Sequence, residues 1–127
     1  MKRVYNRGTG EELAFLASCA LHLLDRRYWI IGVRYPVRGT RFDIVARHPE
    51  RPELVLVEAK LRRDRQVRPY EVRALHAALA KTDVCAGVQG VFMTNSSLSQ
   101  DALAAAQERG IEVVERVPLL FDARARE

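Results

Sequence analysis

Apolar residues recur at helical spacing near the start of the chain. From Thr9 to Asp25 they fall three or four positions apart, which predicts an amphipathic helix. The apolar face expected from this spacing contains Leu13, Leu16, Ala17, Ala20, Leu21 and Leu24.

Three β-rich runs follow this helix. The first extends from Tyr28 to Tyr35 and is closed by Pro36 and Gly39. The next two are RFDIVAR at 41–47 and ELVLVEAK at 53–60, joined by the turn-forming sequence HPERP. The last two runs predict an antiparallel hairpin with a loose turn.

Helical and extended patterns alternate in the second half of the chain. The predicted elements are a helix over Tyr70–Lys81 introduced by Pro69, a strand over Gly90–Thr94, an Ala-rich helix capped by Ser99 and ended by Gly110, and a short strand IEVVE at 111–115. The resulting order αβββαβαβ predicts an α/β fold with a central mixed β-sheet flanked by helices. We expect a single domain over residues 1–127, with its core at about 6–115 and a short tail at 116–127.

Composition narrows the class of protein. The chain is 48% hydrophobic and 29% charged, and no apolar run approaches the roughly 20 residues that span a bilayer. A cytoplasmic protein without membrane contact is expected. The net charge is +5, and only three of the 21 basic residues are lysines. Guanidinium groups suit contacts with phosphate, although a GC-rich genome would also favour arginine.

The predicted hairpin brings three charged side chains together. If Arg47 pairs with Leu54, Asp43 lies opposite Glu58, with Cβ atoms about 4.5–5.5 Å apart. Lys60 lies two residues beyond Glu58 and therefore on the same face. The surrounding residues are almost continuously apolar, and an unpaired charge costs several kcal/mol in such a strand. Two buried carboxylates repel each other unless a cation lies between them, and Mg²⁺ prefers oxygen ligands.

The first helix offers a further carboxylate. On a helical wheel Glu12 lies on the flank of the apolar face, beside Leu16, whereas Glu11 points away. We expect Glu12 to reach the metal and Glu11 to be a solvated first-turn residue. The choice between them stays open, because helix phase can slip in the first turn.

Four arginines follow the third strand directly: Arg62, Arg63, Arg65 and Arg68. They are candidates for contacts with backbone phosphates beside the metal. A solvated charged loop is the alternative interpretation.

The combination of motifs resembles the PD-(D/E)XK nuclease superfamily. The matching segments are RGTGEELA, FDIVA with Asp43, and LVLVEAKLR with Glu58 and Lys60. The second half, VRALHAALAKTDVCAGVQGVFMTNSSLSQDALAAAQERGIEVVE, resembles the end of Mrr-type restriction endonuclease catalytic domains. Phe42 stands where many members have proline.

The first half is also similar to archaeal-type Holliday-junction resolvases, in which a glycine lies four residues before the helix glutamate. Gly8 and Glu12 have this spacing.

The resemblance implies a restriction-endonuclease-like fold and a nuclease that hydrolyses phosphodiester bonds with Mg²⁺ or Mn²⁺. The expected substrate is DNA, in duplex, branched or single-stranded form. Asp43, Glu58 and the main-chain carbonyl of Ala59 would hold the metal. Glu12 would orient a water molecule or complete a second site. Lys60 would position the attacking water and stabilise charge on the phosphate oxygens.

Two further expectations concern partners and activity. Cutting both strands of a duplex requires two copies of so short a chain, so a homodimer is expected, with the apolar tail Val117–Phe121 as a candidate interface. The alternative function is a non-catalytic nucleic-acid-binding or interaction module that retains the nuclease fold. RNA as the substrate is also left open.

Overall fold

The computed structural model describes residues 9–82 and 84–120. Its elements are α1 (Thr9–Asp25), β1 (Trp29–Val37), β2 (Thr40–Arg47), β3 (Leu54–Lys60), α2 (Pro69–Ala80), β4 (Val88–Thr94), α3 (Gln100–Glu108) and β5 (Glu112–Val114). The predicted order αβββαβαβ is confirmed. Gly8 and Phe121, which the sequence interpretation used, lie outside the described residues.

The five strands form one mixed sheet in the order β1-β2-β3-β4-β5. β1, β2 and β3 are antiparallel neighbours, whereas β3, β4 and β5 run parallel. The parallel pairs are connected by α2 and α3, because parallel strands need a crossover connection. The hairpin has the predicted register, in which Arg47 pairs with Leu54.

A hydrophobic core covers each face of the sheet. On one face, α2 and α3 pack on side chains that include Phe42, Leu56 and Phe92. On the other face, α1 packs on Ile44 and Val57, among others. Residues 55–57 are all buried, because alternate side chains of β3 enter opposite cores. A strand buried on both faces explains the continuous apolar runs in the sequence.

The buried face of α1 differs from the predicted one. It consists of Phe15, Leu16, Ser18, Cys19 and Leu23. Of the expected set only Leu16 is buried, while Leu13, Leu21 and Leu24 are exposed. The helix is apolar around most of its circumference, so spacing alone permitted two phases. Packing against the sheet selects the phase that contains Phe15.

Ser18 can be buried in this phase because its hydroxyl both donates and accepts a hydrogen bond. Ser18 Oγ donates to the Ala14 carbonyl at 3.1 Å and accepts the Leu120 N–H at 3.0 Å. The second contact ties the tail to α1. Val117 is buried in the same core and Leu119 packs against it, so these residues of the predicted dimer interface serve the chain's own fold.

None of the helices in the described part of the chain combines the length and apolar character that a membrane crossing requires. The edge strand β1 extends through Pro36, which an edge position tolerates because one side of the strand forms no ladder hydrogen bonds.

The predicted cap of α3 generates a stability test. Ser99 Oγ accepts the Ala102 N–H at 3.1 Å, as the sequence predicts. Ser99→Ala removes this acceptor and should lower the free energy of unfolding by about 1 kcal/mol, measured by urea denaturation. Ser99→Asp keeps an acceptor and should retain wild-type stability. Equal losses in both variants would contradict the capping role.

Candidate active site

The predicted charged residues line one cavity of about 360 Å³ beside the hairpin and the start of α1. The lining includes the four predicted catalytic side chains together with Ala59: Glu12, Asp43, Glu58 and Lys60. The β2–β3 ladder ends with the pair Ile44 and Val57. Asp43 and Glu58 are the adjacent residues of the two strands, at the point where the paired strands separate.

Asp43 is held in place by the backbone of the neighbouring strand. Its Oδ2 accepts the Ala59 N–H at 2.7 Å. If the ladder continued, Asp43 would pair directly with Glu58. Instead, its carboxylate accepts a hydrogen bond from the main chain of Ala59, the residue after Glu58. A carboxylate that accepts a main-chain hydrogen bond is fixed in position, while its second oxygen is left available for another ligand.

Glu58 and Lys60 form an ion pair within the cavity. Lys60 Nζ lies 3.1 Å from Glu58 Oε2, and both side chains are half-buried. Their spacing of two along β3 places both on one side of the strand. The ammonium group therefore stands beside the carboxylates and still reaches solvent.

Burial disfavours the charged forms of both acidic residues. Desolvation raises the pKa of Asp43, against the opposing effects of the Ala59 hydrogen bond and of nearby Lys60 and Arg34. Desolvation, and next the negative charge of Asp43, raise the pKa of Glu58, although Lys60 opposes this shift. The chain thus maintains two carboxylates in a place where their charge is costly.

A divalent cation fits this donor set. Two carboxylates and the main-chain carbonyl of Ala59 are oxygen ligands, which Mg²⁺ and Mn²⁺ prefer. Within residues 9–82 and 84–120, no three His, Cys, Asp or Glu side chains converge closely enough to hold a metal ion. Mg²⁺ commonly binds through one or two carboxylates and completes its shell with water and substrate phosphate.

Both helix glutamates line the cavity, but they have different partners. Glu12 is 64% exposed, lies 3.9 Å from Arg34, and contributes to the raised pKa of Asp43. Glu11 is 43% exposed and forms an ion pair with Arg63 at 2.6 Å. Glu12 is thus the helix carboxylate whose charge acts on Asp43. Arg34 was not among the sequence candidates.

Two residues at the end of β4 hold the end of β3. Thr94 Oγ1 donates to the Lys60 carbonyl at 2.7 Å. Asn95 accepts the Arg62 N–H and donates to the Arg62 carbonyl, both at 2.7 Å. The side-chain amide thereby continues the parallel ladder after the strands have ended. The sequence shows that Thr94 and Asn95 are polar residues at the end of a strand. It does not show that they contact Lys60 and Arg62.

A buried acid organises the arginine loop. Glu71 in the first turn of α2 forms ion pairs with Arg62 and Arg65, and it accepts the Arg68 N–H at 3.0 Å. Although burial opposes its charged form, the Arg68 N–H and the Arg62 guanidinium lower the pKa of Glu71. The sequence interpretation missed Glu71, because helix acids are usually solvated. Arg63 and Arg68 remain exposed toward solvent.

Comparison with known families now gives the decisive observation. The model of a restriction endonuclease family, the Mrr catalytic domain, matches residues 14–120. The chain belongs to this family. The Mrr resemblance predicted from the second half of the sequence is therefore confirmed. A comparison with curated proteins finds no match.

Solved structures share the fold of this Mrr-family domain. The protein of unknown function AF1548 is 20% identical, with a TM-score of 0.69 over 81% of this chain and 58% of that chain. A repair endonuclease from Pyrococcus abyssi is 17% identical, with a TM-score of 0.64 over 87% and 48%. The EndoMS–dsDNA2 complex is 16% identical, with a TM-score of 0.62 over 83% and 46%. The Mrr-family chain spans about half the length of these proteins.

Replacing one of the two half-buried acids should stabilise the metal-free domain. Asp43→Asn preserves an acceptor for the Ala59 N–H and removes one of two repelling charges. We expect a gain on the order of 1 kcal/mol at neutral pH, measured by urea denaturation in EDTA. The folded-state pKa values of Asp43 and Glu58 are raised, so these acids become protonated as the pH falls through those values. The free energy of unfolding of wild type should then approach that of Asp43→Asn.

The control for this variant is Asp25→Asn, whose carboxylate is exposed. It should leave the free energy of unfolding unchanged. A destabilised Asp43→Asn protein would contradict the inferred repulsion.

Replacing Glu71 should have the opposite effect. Its carboxylate is 3% exposed, so Glu71→Gln leaves the half-buried Arg62 guanidinium without its counter-ion. We expect a loss of about 2–4 kcal/mol in the free energy of unfolding at pH 7. Because the folded-state pKa is lowered, this contribution is present above the ordinary value of 4.5 and is lost as the pH falls below it.

The matched control is Glu108→Gln, in which the carboxylate pairs with Arg109 but is 74% exposed. It should change stability by less than about 0.5 kcal/mol. A Glu71→Gln loss as small as the control's would show that the buried cluster does not stabilise the fold.

Proposed function

We propose that this Mrr-family domain is a Mg²⁺- or Mn²⁺-dependent endodeoxyribonuclease. The observation that supports it most directly is the convergence of Asp43, Glu58 and Lys60 on one cavity, with the two acids kept in a setting that raises their pKa values. A structural role gives no reason to retain two repelling, half-buried carboxylates. A cation between them removes the repulsion.

Three observations support DNA as the proposed substrate. The chain carries a net charge of +5, which favours a polyanion. Its family is one of restriction endonucleases. A protein with the same fold, EndoMS, has a structure in complex with dsDNA.

The residues that would hold the cation are Asp43 and Glu58, with the main-chain carbonyl of Ala59. When bound there, the cation supplies Lewis-acid polarisation of the scissile phosphate. The Ala59 N–H fixes Asp43, and the Lys60 ammonium fixes Glu58, so both acids are positioned before substrate arrives.

Lys60 and Glu12 are proposed to act on the water and the phosphate. In the hydrolysis, a water oxygen forms a bond to phosphorus, one P–O ester bond breaks, and the leaving oxygen is protonated from solvent. Lys60 donates hydrogen bonds to the phosphate oxygens as their negative charge grows. Glu12, at the cavity entrance, orients the attacking water and accepts its proton.

The arginine loop is proposed to bind the DNA backbone through its exposed members. Arg63 lies at the cavity rim against Glu11, and Arg68 is exposed beside the N-terminus of α2. Arg62 and Arg65 are paired with Glu71, so we assign them mainly to holding this loop in shape.

A homodimer is proposed for cleavage of both strands of a duplex. Each chain presents one carboxylate pair, and each strand needs one such pair. Because Val117 is buried within the chain, the tail offers only its exposed residues, such as Leu120, to a partner.

The test is cleavage of DNA by wild type and two variants. Wild type should cleave with Mg²⁺ or Mn²⁺ and lose activity in EDTA. Lys60→Ala should reduce the rate by about 100- to 1,000-fold, and Asp43→Asn should abolish it. Supercoiled, linear, nicked, branched and single-stranded DNA, assayed separately, would identify the preferred form.

The chain offers a matched lysine control in Lys81, which is exposed at the end of α2. Lys81→Ala should cleave at the wild-type rate. If wild type neither cleaves DNA nor binds Mg²⁺ or Mn²⁺, the domain is a non-catalytic module and the proposal is wrong.

A further inference from the structure

A second cavity of about 270 Å³ lies against the catalytic one. The two cavities share Glu58, Lys60 and Arg62 in their walls. The end of β3 therefore separates them as a common partition. Because the first cavity adjoins the α1 face of the sheet and the second the α2 face, a strand of nucleic acid whose phosphate lies in the first would cross the end of β3 beside Lys60 to place its neighbouring unit in the second.

The walls of the second cavity suit a flat, uncharged group. Phe42 and Leu75 are buried and form part of its apolar lining. Ala74 and Ala78, one turn apart on α2, contribute only methyl groups and leave the space between helix and sheet open. Apolar walls with a few polar groups are typical of a site for a small planar ligand.

Tyr70 provides an aromatic surface at the rim of this cavity. It is 56% exposed although it is a large, mostly apolar side chain. Its position is fixed because it follows Pro69 in the first turn of α2, and the next residue is the buried Glu71. An aromatic ring held at a cavity entrance is a stacking surface for a nucleobase.

The polar groups of the cavity are cationic or already used. Both carboxylate oxygens of Glu71 are engaged by Arg62, Arg65 and the Arg68 N–H. Within the described residues, Arg62 Nε is buried and has no hydrogen-bond acceptor. Arg41 is exposed at the rim, where it can meet a phosphate. The cavity thus combines apolar walls with an exposed cation, Arg41.

We propose that this cavity receives one unpaired base of the DNA substrate, stacked on Tyr70, next to the phosphate that is cleaved. The inference rests on the proposed nuclease function and narrows its substrate. A base inside a duplex is stacked on both faces and must be extruded to enter, which costs a few kcal/mol, and least when it is already unpaired. The substrate class is therefore DNA with an unpaired nucleotide at the cleavage point.

The test measures binding in the Asp43→Asn background without added metal, so that it is independent of catalysis. Asp43 does not line the second cavity. Three end-labelled DNA ligands of one length are titrated by fluorescence anisotropy: a single strand, an abasic strand with the same phosphates, and the continuous duplex. The protein should bind the single strand more tightly than the abasic strand.

Adding Tyr70→Ala should weaken binding of the single strand by about 5- to 150-fold and leave the abasic strand unaffected. Tyr70→Phe keeps the ring and should bind like the parent. The control is Trp29→Ala, an aromatic residue of similar exposure, 59%, at the far end of β1. It should not change binding of any ligand.

Two results would overturn the inference. One is equal loss on all three ligands with Tyr70→Ala, which would mean that the rim contacts only the backbone. The other is the absence of any preference for the strand with bases, or of any effect of Tyr70→Ala. Either result leaves metal-dependent cleavage by wild type untouched, so failure here is distinguishable from failure of the proposed function.

Discussion

The structure depends on the partial burial of two acids at the point where the central hairpin separates. Asp43 in β2 and Glu58 in β3 belong to strands whose side chains fill both cores, and desolvation raises the pKa of each. Their cost is offset locally by a main-chain donor, Ala59, and by the Lys60 ammonium. The site therefore carries unfavourable charge that the rest of the domain must stabilise, as is common where binding or chemistry takes place.

A second set of charges supports the first by holding the chain just after β3. Glu71 is more deeply buried than Asp43 and Glu58, yet its pKa is lowered, because main-chain and guanidinium donors surround it. Asn95 fixes the main chain of Arg62 from the neighbouring strand. Asp43, Glu58 and Glu71 are all withdrawn from solvent to some degree, and they differ in behaviour according to their partners. Two are destabilising and available to a ligand, and one is satisfied and structural.

Membership of the restriction endonuclease family and the geometry of the cavity support the same chemistry from independent directions. The family match rests on sequence, whereas the convergence of acids and lysine rests on the fold. The solved neighbours are at most about one-fifth identical and show the fold alone. The second cavity adds an apolar space, lined in part by Tyr70, next to the polar site. We propose that Tyr70 thereby determines which form of DNA is bound.

The sequence by itself determined the order of elements, the hairpin register and the grouping of Asp43, Glu58 and Lys60, because strand periodicity and turn length are local properties. Tertiary structure decided the phase of α1, where an almost continuously apolar helix allowed two faces and packing selected Phe15 over Leu13. It also decided which arginines are paired. Arg62 and Arg65 adjoin Glu71 only because the loop folds onto α2, and such pairing between a loop and a helix leaves no periodic trace in the chain.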